Sequence, residues 1–458
     1  MHTKLSTHNP PSRLKWWDGL WCLLLASYIL LGMSSTSFHG DEGMQIYTSH
    51  DYTTAFIEGD ASRLTTQPPY AIDSDAQLRI LNGTLNRYLI GLIWHISGHS
   101  ASELPQAPGW SWGMTYEQNV EVGYRLSPQL MDLSRLPSTV FLVLASVVMF
   151  ALGHLLSGRL GAYVASALFV LNPIILLNGR RATQEGTLLF FGLLTVYLGL
   201  VWARQRTAGQ KPSLWLWLAL IVVGALAILS KHTGIIFVAA TFLTIFLVEC
   251  DLFWRFRNGR DFALTFGACL VSAGVILALF IAFSPALWND PLARLQDLLA
   301  VRTEVLEIQV AIMPDAPTPL SERLISLWTY PFTQPTQHFE LPSWGESALF
   351  MSEVNTARQS IWYGVEWGMF FGSVWMMLAL IGIVMMVRHL NAQPWRVGVL
   401  ILLGLVIGSL IVNPLPWQRY YLLYIPLIAL LAGMGFAGLI TAFQRRQVKP
   451  SARGILKS

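Results

Sequence analysis

The sequence predicts an all-α integral membrane protein of about ten transmembrane helices, with outward-facing interfacial helices in two large loops. Three observations predict it. Of 458 residues, 53% are apolar and only 12% charged, a balance that excludes an ordinary soluble domain. Apolar stretches near the roughly 20-residue length of a spanning helix run over 17–37, 135–157, 160–178, 183–203, 213–230, 232–249, 262–284, 361–387, 395–412 and 418–441. With the basic N-terminus inside, every short inner loop is basic: Arg159, then Arg204, Arg206 and Lys211, then Arg255, Arg257 and Arg260, then Arg388 and Arg396, then a tail with Arg445, Arg446, Lys449, Arg453 and Lys457. That is the positive-inside pattern.

Taken in order, the first element is an anchor. The polar start carries Lys4, Arg13 and Lys15, and the apolar run from Trp16 to about Met33 is too long for a signal-peptide core and lacks a small-residue cleavage site. Cys22, Cys250 and Cys269 fall in spans or beside an inner loop, so the outward loops hold no disulfide between them. Of 26 acidic residues only Asp18, Glu249, Asp251 and Asp261 fall on the inner side. The net charge of +4 is small and its cations flank apolar segments, which leaves nucleic-acid binding without support.

Two outer segments, 38–134 and 285–360, break the pattern of short connections, and long loops in a compact protein are more often functional than structural. No internal repeat or detachable domain is visible, so residues 1–458 read as one multi-span unit. Leu78 to Ile96 is apolar but interrupted by Arg79, Asn82, Asn86, Arg87 and His95. Counting it as a span would put every later basic loop outside, so it reads as an interfacial helix. Pro291 to Val310 has apolar residues at helical spacing and reads as a second surface helix, followed by proline-rich stretches at 314–319 and 330–342 that read as an adaptable loop.

Asp41 and Glu42 stand a few residues past the outer end of the first span. Carboxylates there must face water, a polar cavity or a partner, which makes the pair a candidate for chemistry at the membrane surface or, more plainly, a solvated loop start. Arg180, Arg181, Lys231 and Arg419 are cations at outer connections otherwise almost free of them. Arg181 and Glu185 are spaced to meet on one helical face; Lys231 and Arg419 are also compatible with side chains snorkelling to the interface. Together they suggest a phosphate-binding cluster on the side of Asp41. No phosphate loop, dinucleotide fingerprint or compact zinc motif is present. His39, His50, His95, His99, His232 and His338 are outward or interfacial, so no cofactor is firmly expected and a divalent metal stays open.

The chain resembles the protein O-mannosyltransferase and aminoarabinose transferase group of the glycosyltransferase-C superfamily. The resemblance is carried by Asp41-Glu42 after the first span, Arg181 to Glu185 with the Leu-Leu-Phe-Phe run that follows, Ser230-Lys231-His232-Thr233-Gly234, and Arg419-Tyr420-Tyr421-Leu422-Leu423-Tyr424-Ile425-Pro426. Pro285 to Pro291 is similar to the family's start of the second large loop, whereas the family's His-Pro-Pro-Leu or Lys-Pro-Pro-Leu run is replaced here by Asn82-Gly83-Thr84-Leu85.

The resemblance implies an inverting, polyprenyl-phosphate-sugar-dependent hexosyl- or pentosyltransferase acting on an acceptor hydroxyl of a lipid, glycan or protein. It would work on the outer face of a membrane, of the bacterial plasma-membrane kind, within the cell envelope. In that reading Asp41 is the general base, Glu42 its catalytic neighbour, Arg181, Lys231, Arg419 and Arg180 hold the donor phosphate, and Glu185 and Tyr420 support them. The alternative is a transporter or flippase of lipid-linked glycans. Such a protein normally places charge near the bilayer midplane, and the span centres here are almost uncharged.

Overall fold

The computed structural model describes residues 15–313, 316 and 319–448, and every regular element among them is a helix. The integral-membrane reading is borne out by seven helices long and apolar enough to cross a bilayer: Pro128–Val170, Glu185–Thr207, His232–Phe256, Gly259–Ala282, Gly368–His389, Pro394–Val412 and Gln418–Arg445. Trp16–Leu31 and Leu214–Ser230 are apolar but shorter. The basic residues Lys4, Arg13, Lys449, Arg453 and Lys457 lie outside the described residues.

The 43-residue helix Pro128–Val170 is two helical segments. At Gly158 the backbone takes φ 75°, a conformation that costs a glycine nothing and other residues a good deal. The chain turns there, and a Cβ on Gly153 would lie 2.7 Å from Cα of Ala162, so a small residue is what lets the two segments approach. This hairpin packs against Glu185–Thr207 and the last helix. The last helix is central, with 78% of its most apolar stretch buried, and Gly259–Ala282 is peripheral, with 17% buried. Peripheral faces such as Leu264, Leu270 and Val271 are left for lipid.

At the end carrying the basic short loops, the four carboxylates expected there are all paired. Arg159 meets Asp18 at 3.0 Å, Arg206 meets Glu249 at 2.5 Å and Asp261 at 3.6 Å, and Arg255 meets Asp251 at 2.8 Å. At the opposite end the two large loops fold together over the helix ends. Phe38, Ile46, Trp94, Trp110, Trp344 and Phe350 form a second apolar cluster between them.

Local structure departs from the sequence reading at three places. The helix expected over 78–96 is two, Asp75–Leu81 and Thr84–Ile96. The break falls at Gly83, where a Cβ would lie 2.3 Å and 2.4 Å from the carbonyl oxygens of Leu229 and Ser230, so tertiary contact decides the break. The surface helix of the second loop forms as Pro291–Ala311, and Leu320–Phe332 and Ala348–Gln359 are further helices that the sequence reading does not anticipate, the first of them running on into the stretch at 330–342 expected as an adaptable loop. The stretch expected to span from 361 becomes helical at Gly368.

Candidate active site

His39 caps the helix Gly40–Thr48, its side chain accepting the Asp41 N–H. Asp41 and Glu42 therefore stand in the first helical turn, where the free N–H groups and the helix dipole favour negative charge. The two carboxylates then diverge. Glu42 is fully buried and receives Arg135 Nε at 2.7 Å and Nη2 at 2.8 Å, a bidentate pair, together with the Ala182 N–H at 2.8 Å and the His39 N–H at 3.1 Å. Burial pushes its acid up, but Arg135, Arg181 and the Ala182 N–H outweigh that and hold it below the usual carboxylate range. With its acceptor sites filled, Glu42 joins the first outer loop to the hairpin and to the turn at Ala182.

Asp41 is more open, its side chain 35% exposed, and its carboxylate is held by Arg419 Nη1. Burial acts to raise its pKa, while Arg419 and His39 bring it below the usual carboxylate range. Arg419 stands in the turn before the last helix, stacked over the rings of Trp417 at 4.8 Å and Tyr420 at 5.8 Å. Those two rings are themselves stacked at 5.5 Å. On its other edge, Arg419 Nε meets Glu340 Oε1 at 3.2 Å.

The expected contact between Arg181 and Glu185 does not form. The helix Pro173–Arg180 ends at Arg181, whose ψ of 154° is extended, so the helical spacing that would join them is lost. Arg181 is buried and donates to Ser37 O at 3.2 Å, Phe38 O at 3.4 Å and His338 O at 2.8 Å. Burial lowers its pKa to about 10, opposed by Glu42 and Glu340, so it stays a cation at neutral pH. Glu185 pairs with Lys231 at 2.8 Å, and Lys231 keeps 31% of its side chain exposed. Arg180 departs furthest from the expected cluster. Its guanidinium is buried against the carbonyls of Ile29 at 2.9 Å, Tyr28 at 2.7 Å and Trp362 at 2.7 Å, which ties the end of the helix Pro173–Arg180 to the first helix and to Trp362.

Sequence reasoning missed Arg135, Glu340 and the positioning part of His39. His39 is one of six outward or interfacial histidines and nothing local marks it, because the capping-box signature takes Ser, Thr, Asp or Asn at that place; Glu340 carries no local signal at all. Among the described residues no group of three or more His, Cys, Asp or Glu could hold a metal ion.

The family model for dolichyl-phosphate-mannose-protein mannosyltransferase matches residues 110–287. That stretch includes Arg181, Glu185 and Lys231 and stops short of Asp41 and Arg419. The match bears out the resemblance to the mannosyltransferase branch of the glycosyltransferase-C enzymes. No curated protein matches the chain in sequence. Among solved structures, the Archaeoglobus fulgidus oligosaccharyltransferase in the apo form is similar at TM-score 0.53 and 12% identity, over 96% of this chain and 53% of that one. The same organism's oligosaccharyltransferase AglB, in complex with an inhibitory peptide and a dolichol-phosphate, gives TM-score 0.50 and 13% identity, over 97% of this chain and 53% of that one. These likenesses show a shared fold, and the chain spans about half the length of those proteins. The protein O-mannosyltransferase Pmt1-Pmt2 complex of S. cerevisiae aligns at TM-score 0.41 and 16% identity, over 61% of this chain and 35% of that one.

Proposed function

We propose, from this kinship and from the site, that the protein is an inverting glycosyltransferase that moves a sugar from a polyprenyl monophosphate to an acceptor hydroxyl at the outer face of the membrane. The observation that carries the proposal is the Asp41–Arg419 pair: an accessible carboxylate, fixed in a helix's first turn, facing a cation that lies at the membrane interface in this reading. The basic short loops at the other end of the molecule support that orientation. Counting the hairpin Pro128–Val170 as two crossings and adding the two shorter apolar helices supports ten spans in one unit. The helices of the two large loops then lie along the outer interface. A bacterial plasma membrane is the proposed site.

In the transfer, the acceptor oxygen attacks the anomeric carbon from the side opposite the phosphate. A carbon–oxygen bond forms to the acceptor, the bond from the anomeric carbon to the phosphate oxygen breaks, and the configuration inverts. Asp41 takes the acceptor's proton, a contribution of about 10²- to 10⁴-fold. The leaving phosphate gains negative charge in the transition state, so cations beside it stabilise that state more than the bound donor. Arg419 and Lys231 fit this role best, because each keeps an accessible face and an acidic partner that holds it in place. Arg181 supports them from the buried side. Glu42 acts as a positioning residue.

The test is incubation of the purified protein with a panel of polyprenyl-phosphate sugars and mass measurement of labelled acceptors, for wild type and Asp41→Asn. Transfer by wild type, and loss of at least about 10²-fold in Asp41→Asn with undecaprenyl monophosphate still bound, is the expected result. Near-normal turnover by Asp41→Asn removes it as the base.

A further inference from the structure

Around Asp41 four residues close into a ring. The Asp41 N–H donates to His39 Nδ1 at 3.2 Å, and His39 Nε2 faces Glu340 Oε2 at 2.6 Å. Arg419 then sets Nε 3.2 Å from Glu340 Oε1 as an ion pair and donates Nη1 to the Asp41 carboxylate. The members are far apart in sequence, His39 and Glu340 by 301 positions and Asp41 and Arg419 by 378. Glu340 is only 9% exposed; burial opposes its ionisation, and Arg419 and His39 hold it well below the usual carboxylate range. As a carboxylate it only accepts, which assigns the hydrogen to His39 Nε2 and leaves Nδ1 as the acceptor that caps the helix.

This ring creates a conflict for the proposed chemistry. A carboxylate paired with a guanidinium is a weak base, because the cation favours its ionised form, and the same guanidinium is needed at the leaving phosphate. Arginine can resolve the conflict because its five N–H donors lie in a rigid planar fork with distinct edges. The Nε edge faces Glu340, and an Nη edge faces Asp41.

We infer that Glu340 is a positioning residue of the transfer: it anchors Arg419 through Nε while the Nη edge passes from Asp41 to the donor phosphate, so that Asp41 is free to act as base only when donor is in place. The inference rests on the function proposed above. Beyond Arg419, the groups facing Asp41 are His39, Glu340 and Asp73, whose own acid is raised by burial and then by Asp41. Glu185 acts on Arg419 and Arg181 on Glu340 from the surrounding helix ends. None of these replaces Arg419 at the Asp41 carboxylate when the guanidinium turns away. A base without donor stays neutralised by its cation, which orders the reaction with donor first.

The experiment uses the full chain in detergent, with undecaprenyl monophosphate as the probe. Binding is measured by calorimetry, and the pH midpoint of Asp41 is read as the pH dependence of its carbodiimide labelling, quantified by mass spectrometry. In wild type, saturating probe raises the Asp41 midpoint by about one pH unit or more. In Glu340→Gln, at saturating probe, the rise is smaller and the probe binds about tenfold more weakly, because Arg419 has lost its second anchor. Glu340→Asp, which keeps the charge, lies between the two and serves if the glutamine variant does not fold. An unchanged midpoint in wild type with probe bound overturns the inference alone. An equal rise in wild type and both variants does the same, since the phosphate's own charge then accounts for it. Failure of wild type to bind the probe overturns the proposed function as well.

Discussion

Two neighbouring carboxylates with opposite surroundings give the residue-scale expectations. Asp41 is open and faces one cation, whereas Glu42 has its oxygens filled by Arg135, His39 and Ala182. Glu42→Gln therefore acts on folding. Leaving Arg135 buried without its anion costs about 3–5 kcal/mol, read as a lower unfolding midpoint in detergent. The sign with pH follows from Glu42's lowered pKa: its contribution is full above the ordinary glutamate value and is lost as pH falls through the folded value. Wild type should thus lose stability on acidification more steeply than Glu42→Gln. An unchanged midpoint in the variant, with transfer abolished, would return Glu42 to the reaction itself. Among the cations, Arg419→Gln and Lys231→Gln should each weaken undecaprenyl monophosphate binding about tenfold. Arg180→Gln should leave that affinity intact and lower stability by about 1–3 kcal/mol through three unpaired buried carbonyls. Loss of affinity in Arg180→Gln with stability unchanged would place it back in the phosphate site.

At the scale of elements, the irregular chain 333–341 is a strap that carries Glu340 to the site, and His338 pins it. His338 Nδ1 meets Ser37 Oγ at 2.8 Å and Nε2 meets Tyr363 Oη at 3.2 Å, with the two rings stacked. Burial, with Arg181 and Arg358, lowers its pKa to about 3. The unfolded chain takes up the proton below about 6.5 while the folded one does not. Stability therefore falls as pH drops from that value, by up to about 1.4 kcal/mol per pH unit, until the folded group also protonates. Thermal unfolding midpoints between pH 4 and 7 should show this slope in wild type and a flatter one in His338→Gln. Equal slopes would mean that the strap opens before the histidine is tested. The carbonyl of the same histidine receives Arg181, so the strap and Arg181 are joined through one residue.

For the whole molecule the expectation concerns orientation. Single cysteines at Ser62 and Ser321, both exposed in the large loops, should react with an impermeant thiol reagent from outside the cell, in a background where Cys22, Cys250 and Cys269 are replaced. Labelling of either position only after permeabilisation would put the Asp41 end inside and remove the outer-face reaction. The expected answer follows from the basic short loops at the opposite end of the molecule, where Arg159, Arg206 and Arg255 pair with Asp18, Glu249, Asp261 and Asp251.

Membrane class, the two large loops and the placement of Asp41, Glu42, Lys231 and Arg419 near one another's end of the molecule were legible in the sequence. Hydrophobic length and the sidedness of charge are local properties, and the bilayer imposes them segment by segment. The partners were not legible. Arg181 reads as one helical turn from Glu185, yet the helix stops between them and each turns elsewhere; Gly83 breaks a helix that its own neighbours would continue. Glu340 and Arg135 reach the site across 301 and 93 positions respectively, by the folding of loops over helix ends. Local periodicity carries no information about such distances, and which carboxylate is left open and which is enclosed was decided by tertiary packing alone.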